Sequence, residues 1–95
     1  EEYYGLANAY YEMKRPKIAL KFYEKAYEEN FKNYKAKFQI AKITDALYKD
    51  KKMAYKHYKK YEERFLDSDK VMSAFVLKRI SAIKKDYFMK GETLE

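Results

Sequence analysis

Few residues in this sequence could carry out catalysis, and those present are poorly spaced for it. The single histidine, His57, lies in a segment rich in Lys and Tyr, with no nearby pair of Ser and Asp to complete a catalytic triad. One imidazole cannot form a zinc site, and the chain has no cysteine that could add a metal ligand or act as a nucleophile. We therefore interpret His57 as a surface residue or as part of the packing at a helix edge.

Paired carboxylates, another common catalytic arrangement, occur as Glu28-Glu29 and Glu62-Glu63. Neighbouring residues on a helix point in different directions, so neither pair is arranged to act together on one substrate. The sequence also lacks a glycine-rich phosphate loop, a His-Glu-x-x-His motif and a calcium-binding loop. A chain of 95 residues forms one small domain, too small for a deep cleft between two lobes. We therefore predict that the protein is not an enzyme and has no catalytic residue, no metal site and no cofactor.

The net charge of +7 is concentrated in the middle of the chain. Residues 34–66 contain ten basic and four acidic residues, whereas the two flanking thirds are nearly balanced. The candidate basic patch comprises Lys51, Lys52, Lys56, Lys59 and Lys60. Together with the twelve tyrosines it could bind nucleic acid or an anionic membrane surface, because lysine neutralises phosphate and aromatic rings stack on bases. A solvated helix face is the simpler interpretation, so a nucleic-acid partner is possible but less favoured.

Apolar residues recur at three- and four-residue steps along the chain, which indicates helices. The chain has only two glycines and one proline, and no stretch alternates strictly between apolar and polar residues, so no strand is predicted. We predict an all-α chain of about five helices, over residues 2–13, 16–30, 34–48, 53–65 and 68–89. The breaks between them are short, which requires consecutive helices to lie antiparallel and adjacent.

Residues with known capping preferences mark the predicted helix ends. Pro16 suits the first turn of a helix, because the N–H that it lacks would be unpaired there. Asn30 can end the second helix in the left-handed conformation, and Asn33 can cap the start of the third. Two aspartates and a serine at 67–69 supply capping oxygens for the fifth helix, which we expect to end at Gly91.

The sequence contains an internal repeat. A displacement of 35 residues superposes Ala19 on Ala54 and Tyr23 on Tyr58 in the second helix of each pair. In the first helices a displacement of 34 residues aligns apolar positions as well as one of 35 does, and both registers stay open. The repeat predicts these segments: 1–33 as the first repeat, 34–66 as a degenerate second repeat, 67–91 as a capping helix or the first half of a third repeat, and 92–95 as a tail.

These residues resemble the tetratricopeptide repeat, in which about 34 residues form two antiparallel helices. The matching positions in the first repeat are Tyr3-x2-Leu6-Ala7-x2-Tyr10, then Ala19-x3-Tyr23, then Ala26, with Phe31 where the family usually has proline. The second repeat keeps Ala54-x3-Tyr58, but Tyr61 replaces the expected small residue. The resemblance implies an α-solenoid like that of tetratricopeptide repeat (TPR) proteins.

In this family the first helix of each repeat lines a groove that accepts a peptide of a partner protein. The resemblance therefore implies a protein or peptide partner and a non-enzymatic scaffold function within a larger bacterial assembly. Carried over by position, the groove residues are Tyr4, Asn8, Tyr11 and Glu12, and in the 35-residue register Gln39, Ile43, Ala46 and Leu47. The subfamily that clamps a C-terminal carboxylate uses a Lys and an Asn here, and only Asn8 matches because Tyr4 replaces the Lys.

Apolar residues are spread almost all round the predicted fifth helix, which suggests either a covered helix or weak self-association through it. The longest apolar run has four residues, 74–77, so no transmembrane segment is predicted. The chain begins Glu1-Glu2 without Met and ends Leu94-Glu95, which resembles a vector-derived tail. We therefore expect a fragment of a longer protein, whose compartment, bacterial cytoplasm or periplasm, stays open.

Overall fold

Five helices make up almost all of residues 2–94, the part of the chain that the computed structural model describes. Their bounds are α1 Glu2–Glu12, α2 Pro16–Glu29, α3 Tyr34–Leu47, α4 Lys52–Phe65 and α5 Lys70–Lys90. No strand occurs within these residues, so the predicted all-α chain of about five helices is confirmed. The expectations about the chain ends fall partly on Glu1 and Glu95, which lie outside the described residues.

Local residues fix three of the helix ends. The side chain of Asn33 accepts a hydrogen bond from the backbone N–H of Ala36, and that of Asp69 accepts one from Met72. Gly91 ends α5 in the left-handed conformation, with φ of 72°. These three ends agree with the sequence prediction.

The second helix ends next to Asn30 as predicted, but Asn30 does not take the left-handed conformation. Asn30 follows α2 in an extended conformation, with φ of −147°, and its N–H still reaches the carbonyls of Ala26 and Tyr27. Among residues 2–94 the left-handed non-glycine residue is instead Lys14, with φ of 61°. A Schellman turn places it there, since the N–H of Arg15 bonds the carbonyl of Tyr10 and that of Lys14 bonds the carbonyl of Tyr11.

Consecutive helices are antiparallel and alternate helices are parallel. Early residues of α3 meet late residues of α4, because the ring centroids of Tyr34 and Phe65 are 6.3 Å apart. Between α3 and α5 the order is the same in both helices: Phe38 contacts Phe75 at 5.6 Å, and Asp45 binds Arg79 further along. The predicted antiparallel helical hairpins are therefore confirmed.

The middle helix, α3, contributes to two hydrophobic clusters. One cluster joins α1, α2 and α3 and includes Ala7, Ala19, Tyr23, Ala26, Ala36, Ile40 and Ile43. The other joins α3, α4 and α5 and includes Phe38, Ala41, Ala54, Tyr58, Tyr61, Val76 and Ile80. Each hairpin thus buries its apolar face against its neighbours, as in a stack of helical repeats.

Burial distinguishes the two open registers of the repeat. Ala7 and Ala41 are both fully buried, as are Ala19 and Ala54, which are the small residues that let paired helices approach closely. The first helices therefore correspond at 34 residues and the second helices at 35. The extra residue lies in the connection, because residues 48–51 join α3 to α4 whereas only 13–15 join α1 to α2.

One side of α5 remains uncovered. Val76, Ile80, Ile83 and Tyr87 are buried against the preceding hairpin. The opposite surface leaves Val71 80%, Phe88 84% and Met89 74% exposed. No helix among residues 2–94 combines the length and apolar character needed to cross a bilayer.

Candidate functional site

Two adjoining depressions run along the face of the stack formed by α1, α3 and α5, and we call them the groove. The larger, of about 640 Å³, is lined by Tyr11, Glu12, Lys14, Pro16, Lys42, Ile43, Ala46 and Leu47. The smaller, of about 320 Å³, is lined by Lys42, Asp45, Ala46, Tyr58, Phe75 and Arg79. Lys42 and Ala46 belong to both depressions, so they mark the middle of the groove.

Five of the eight expected groove residues line the larger depression: Tyr11, Glu12, Ile43, Ala46 and Leu47. The other three, Tyr4, Asn8 and Gln39, do not line it. Asn8 accepts a hydrogen bond from the Tyr23 hydroxyl, and the ring of Tyr4 packs on that of Tyr23 at 5.8 Å. The side-chain oxygen of Gln39 is buried and has no hydrogen-bond partner among the described residues.

Four residues that sequence reasoning did not assign to the groove line the smaller depression. Lys42 and Asp45 come from α3, and Phe75 and Arg79 come from α5. The 34-residue register would have assigned Lys42 and Asp45 to the groove, because it aligns them with Asn8 and Tyr11. The α5 residues had no such signal, since no repeat partner was assigned to that helix.

Asp45 is the centre of a charged network beneath the groove. Its carboxylate accepts hydrogen bonds from the Tyr58 hydroxyl at 2.8 Å and from Arg79 at 2.7 and 3.0 Å. The ammonium of Lys51 lies 3.3 Å from the same carboxylate. Burial alone would raise the pKa of Asp45, but the hydrogen bonds from Arg79 and Tyr58 outweigh it and lower the pKa. The network therefore keeps Asp45 ionised and joins α3, α4 and α5.

Lys42 supplies a cation in the middle of the groove. Its amine lies 5.7 Å from the ring centroid of Phe38 and 5.9 Å from that of Phe75. Within residues 2–94 it forms no ion pair. The groove thus combines apolar residues with a lysine that no carboxylate pairs directly.

The predicted basic patch is divided by the fold. Lys51 is turned inward, where its amine donates to the carbonyls of Asp45 and Tyr48. Lys59 forms an ion pair with Glu62 at 2.8 Å. The remaining three, which are exposed and spaced four residues apart on one side of α4, are Lys52, Lys56 and Lys60.

His57 is half-buried rather than on the open surface. Its Nδ1 atom lies 2.9 Å from the amine of Lys37 on α3. Burial, together with the positive charges of Lys37 and Lys60, lowers the pKa of His57 to about 4, so the imidazole is neutral at neutral pH. The interpretation as edge packing describes its position, but its contact with Lys37 could not be predicted from the sequence.

The described part of the chain holds no cluster of three or more His, Asp and Glu residues arranged to bind a metal ion. The fold and the groove define an all-α protein of stacked antiparallel helices. No family model matches the chain, and neither curated proteins nor solved structures give a match.

Proposed function

We propose that the chain is a non-enzymatic protein-interaction module of the tetratricopeptide type, which binds a partner peptide in the groove. The observation that supports this most is the continuity of the two depressions along α1, α3 and α5. An elongated groove of this kind suits an extended or helical segment, and the repeat spacing of the sequence suggests the same use. The module would serve as part of a larger scaffold protein.

The groove's chemistry suggests what the bound segment contains. Tyr11, Ile43 and Leu47 offer apolar surface in the larger depression. Lys42 offers a cation without an ion-pair partner between the two depressions, which favours an acidic residue next to the apolar one. We do not propose capture of a C-terminal carboxylate, because Asn8 is already hydrogen-bonded to Tyr23.

The test uses a peptide selected by display against the wild-type chain. The double variant Tyr11→Ala/Leu47→Ala should bind it at least about tenfold more weakly, since central apolar contacts commonly contribute about 1 kcal/mol or more each. Affinity is measured by calorimetry, and circular dichroism verifies that the variant is folded. The matched control Val71→Ala/Phe88→Ala removes exposed apolar residues of α5 and should bind normally. Wild-type affinity in the folded groove variant would contradict the proposal.

A second candidate function is electrostatic binding to nucleic acid or an anionic membrane through α4. The supporting observation is the stripe of Lys52, Lys56 and Lys60, which have no ion-pair partner within residues 2–94. Affinity of this type falls steeply between about 0.05 and 0.5 M salt, because exposed charge contacts are screened. Binding that disappears at the higher salt would favour this function over the groove.

Self-association through α5 is the third function that the surface suggests. Val71, Phe88 and Met89 are largely exposed on one helix. Sedimentation of the wild type and of Val71→Ala/Phe88→Ala distinguishes it, since only the wild type should then form dimers.

A further inference from the structure

A second cleft lies between α2 and α4, on the side of α3 that faces away from the groove. Lys37, Ile40 and Thr44 share this side of α3, because residues three and four apart lie on one helix face, whereas Lys42 and Ala46 lie on the other. The cleft consists of two depressions of about 360 and 280 Å³ that share Glu24 and His57. Its remaining lining residues are Leu20, Tyr27, Glu28, Tyr48, Asp50 and Met53.

Lys37 is buried in this cleft, with 4% of its surface exposed. Within residues 2–94 it forms no ion pair with a carboxylate. Its amine instead contacts Nδ1 of His57 at 2.9 Å and lies 5.2 Å from the ring centroid of Tyr27. Burial without a paired counter-charge disfavours the ammonium form, which is the general way in which lysine becomes a nucleophile.

Most of the charged groups around Lys37 lower its pKa, as burial does. Burial, followed by repulsion from Lys60 and Arg64 on α4, lowers the pKa of Lys37 to about 8, and Glu24 on α2 partly opposes this. The other titratable groups that line its depression are Glu28 on α2 and His57 on α4. At pH 7 about a tenth of Lys37 is therefore the free amine, a far larger fraction than in an ordinary lysine with a pKa of about 10.4.

We propose that Lys37 is a covalent binding site for a small uncharged aldehyde, which enters the cleft and forms an imine with the amine. The lone pair of Nζ attacks the carbonyl carbon, a C–N bond forms, and the C=O electron pair moves to oxygen, which takes up a proton from water. The attached nitrogen loses one proton to water, its lone pair forms the C=N bond as the protonated hydroxyl group leaves as water, and the remaining N–H proton returns to solvent. The neutral His57 contacts Nζ through Nδ1 and positions the amine for this attack. One amine and one aldehyde give one imine and one water, with no oxidant or reductant.

The cleft lining indicates the class of aldehyde. In the depression that contains Lys37, Ile40 and Tyr27 provide apolar surface for an aliphatic or aromatic group, and Leu20 and Met53 line the adjoining depression. Glu24 and Glu28 line the depression that contains Lys37 and Asp50 lines the adjoining one, whereas Lys60 and Arg64 line neither, so an anionic aldehyde would meet carboxylates inside the cleft. An uncharged aldehyde the size of benzaldehyde fits these features.

The experiment treats the folded chain with benzaldehyde and cyanoborohydride, which reduces an imine to a stable secondary amine, and maps the labelled lysines by mass spectrometry. At about pH 7.5 Lys37 should be labelled at least about tenfold faster than Lys35, an exposed lysine of the same helix, because its lowered pKa leaves more of its amine unprotonated than in an ordinary lysine. The rate at Lys37 should rise with pH to a midpoint near its pKa of about 8. The anionic probe 4-formylbenzoate should label Lys37 more slowly than benzaldehyde does.

The variant His57→Gln should slow labelling at Lys37 severalfold without changing the rate at Lys35. Circular dichroism verifies that this variant is folded. Equal rates at Lys37 and Lys35, or protection of Lys37, would overturn the proposed site. An unchanged Lys37 rate in His57→Gln would overturn the role of the imidazole, and faster labelling by 4-formylbenzoate would overturn the choice of an uncharged aldehyde.

Discussion

Replacing Asp45 with alanine should destabilise the fold by about 2 to 4 kcal/mol, because it leaves the groups around the carboxylate without their acceptor. Arg79 and Tyr58 both donate hydrogen bonds to this carboxylate, and Lys51 forms an ion pair with it. The Asp45 side chain is only 11% exposed, whereas those of Arg79 and Lys51 are 33% and 28% exposed. The two cations can therefore recover some hydration, which keeps the expected loss below that of a fully buried pair.

Urea unfolding of the wild type and of Asp45→Ala measures this loss. The matched control is Asp86→Ala, which breaks the exposed ion pair with Lys90 and should change stability by less than about 1 kcal/mol. If both substitutions have equally small effects, Asp45 does not organise the packing of α3, α4 and α5.

Acid should weaken the fold through the same carboxylate. The pKa of Asp45 is lower in the folded chain than its ordinary value of about 3.9, so its stabilising effect is complete above that value. The effect is lost as the pH falls through the lower folded pKa. Asp45→Asn should therefore be less stable than the wild type near neutral pH, and the difference should shrink below about pH 4.

Replacing Tyr23 with alanine should destabilise the fold by about 3 to 5 kcal/mol, the range found when a large buried side chain is removed. Tyr23 is fully buried between α1, α2 and α3, and its ring packs on that of Tyr4. Its hydroxyl donates a hydrogen bond to Asn8. Truncation therefore leaves a cavity and an unpaired amide oxygen within the first hairpin.

Chemical denaturation gives the size of the Tyr23→Ala effect, and amide hydrogen exchange shows where it acts. Exchange should increase most in α1 and α2, because each hairpin of a helical stack depends on its immediate neighbours. Tyr48→Ala is the matched control, since Tyr48 is 50% exposed and its loss should cost less than about 1 kcal/mol. Wild-type stability and unchanged exchange in Tyr23→Ala would contradict the described core.

Features set by neighbouring residues were predictable from the sequence. The caps at Asn33 and Asp69 and the stop at Gly91 depend on a side chain or a backbone conformation within one turn, so residue type alone indicates them. The alignment of Ala19 with Ala54 likewise follows from the sequence, and both residues are fully buried. The number of helices and their antiparallel order came from apolar periodicity and short connections.

Features that depend on distant residues were not predictable. Lys37 and His57 are 20 residues apart, and Asp45 and Arg79 are 34 apart, so no local pattern joins them. A lysine ordinarily extends its charge into water, and nothing in the sequence indicated that Lys37 is buried. The sequence also did not show whether the first helices correspond at 34 or at 35 residues. The extra residue before α4 shifts the second helix of the second repeat relative to its first helix.

The central claim, that the groove binds a partner peptide, is tested most directly by nuclear magnetic resonance. A peptide selected by display is titrated into the isotopically labelled chain, and the backbone amides that change chemical shift are identified. We expect the largest changes at Tyr11, Lys42, Ile43 and Leu47, with saturation at one peptide per chain. Changes confined to Lys52, Lys56 and Lys60 on α4, or to the exposed side of α5, would contradict the claim.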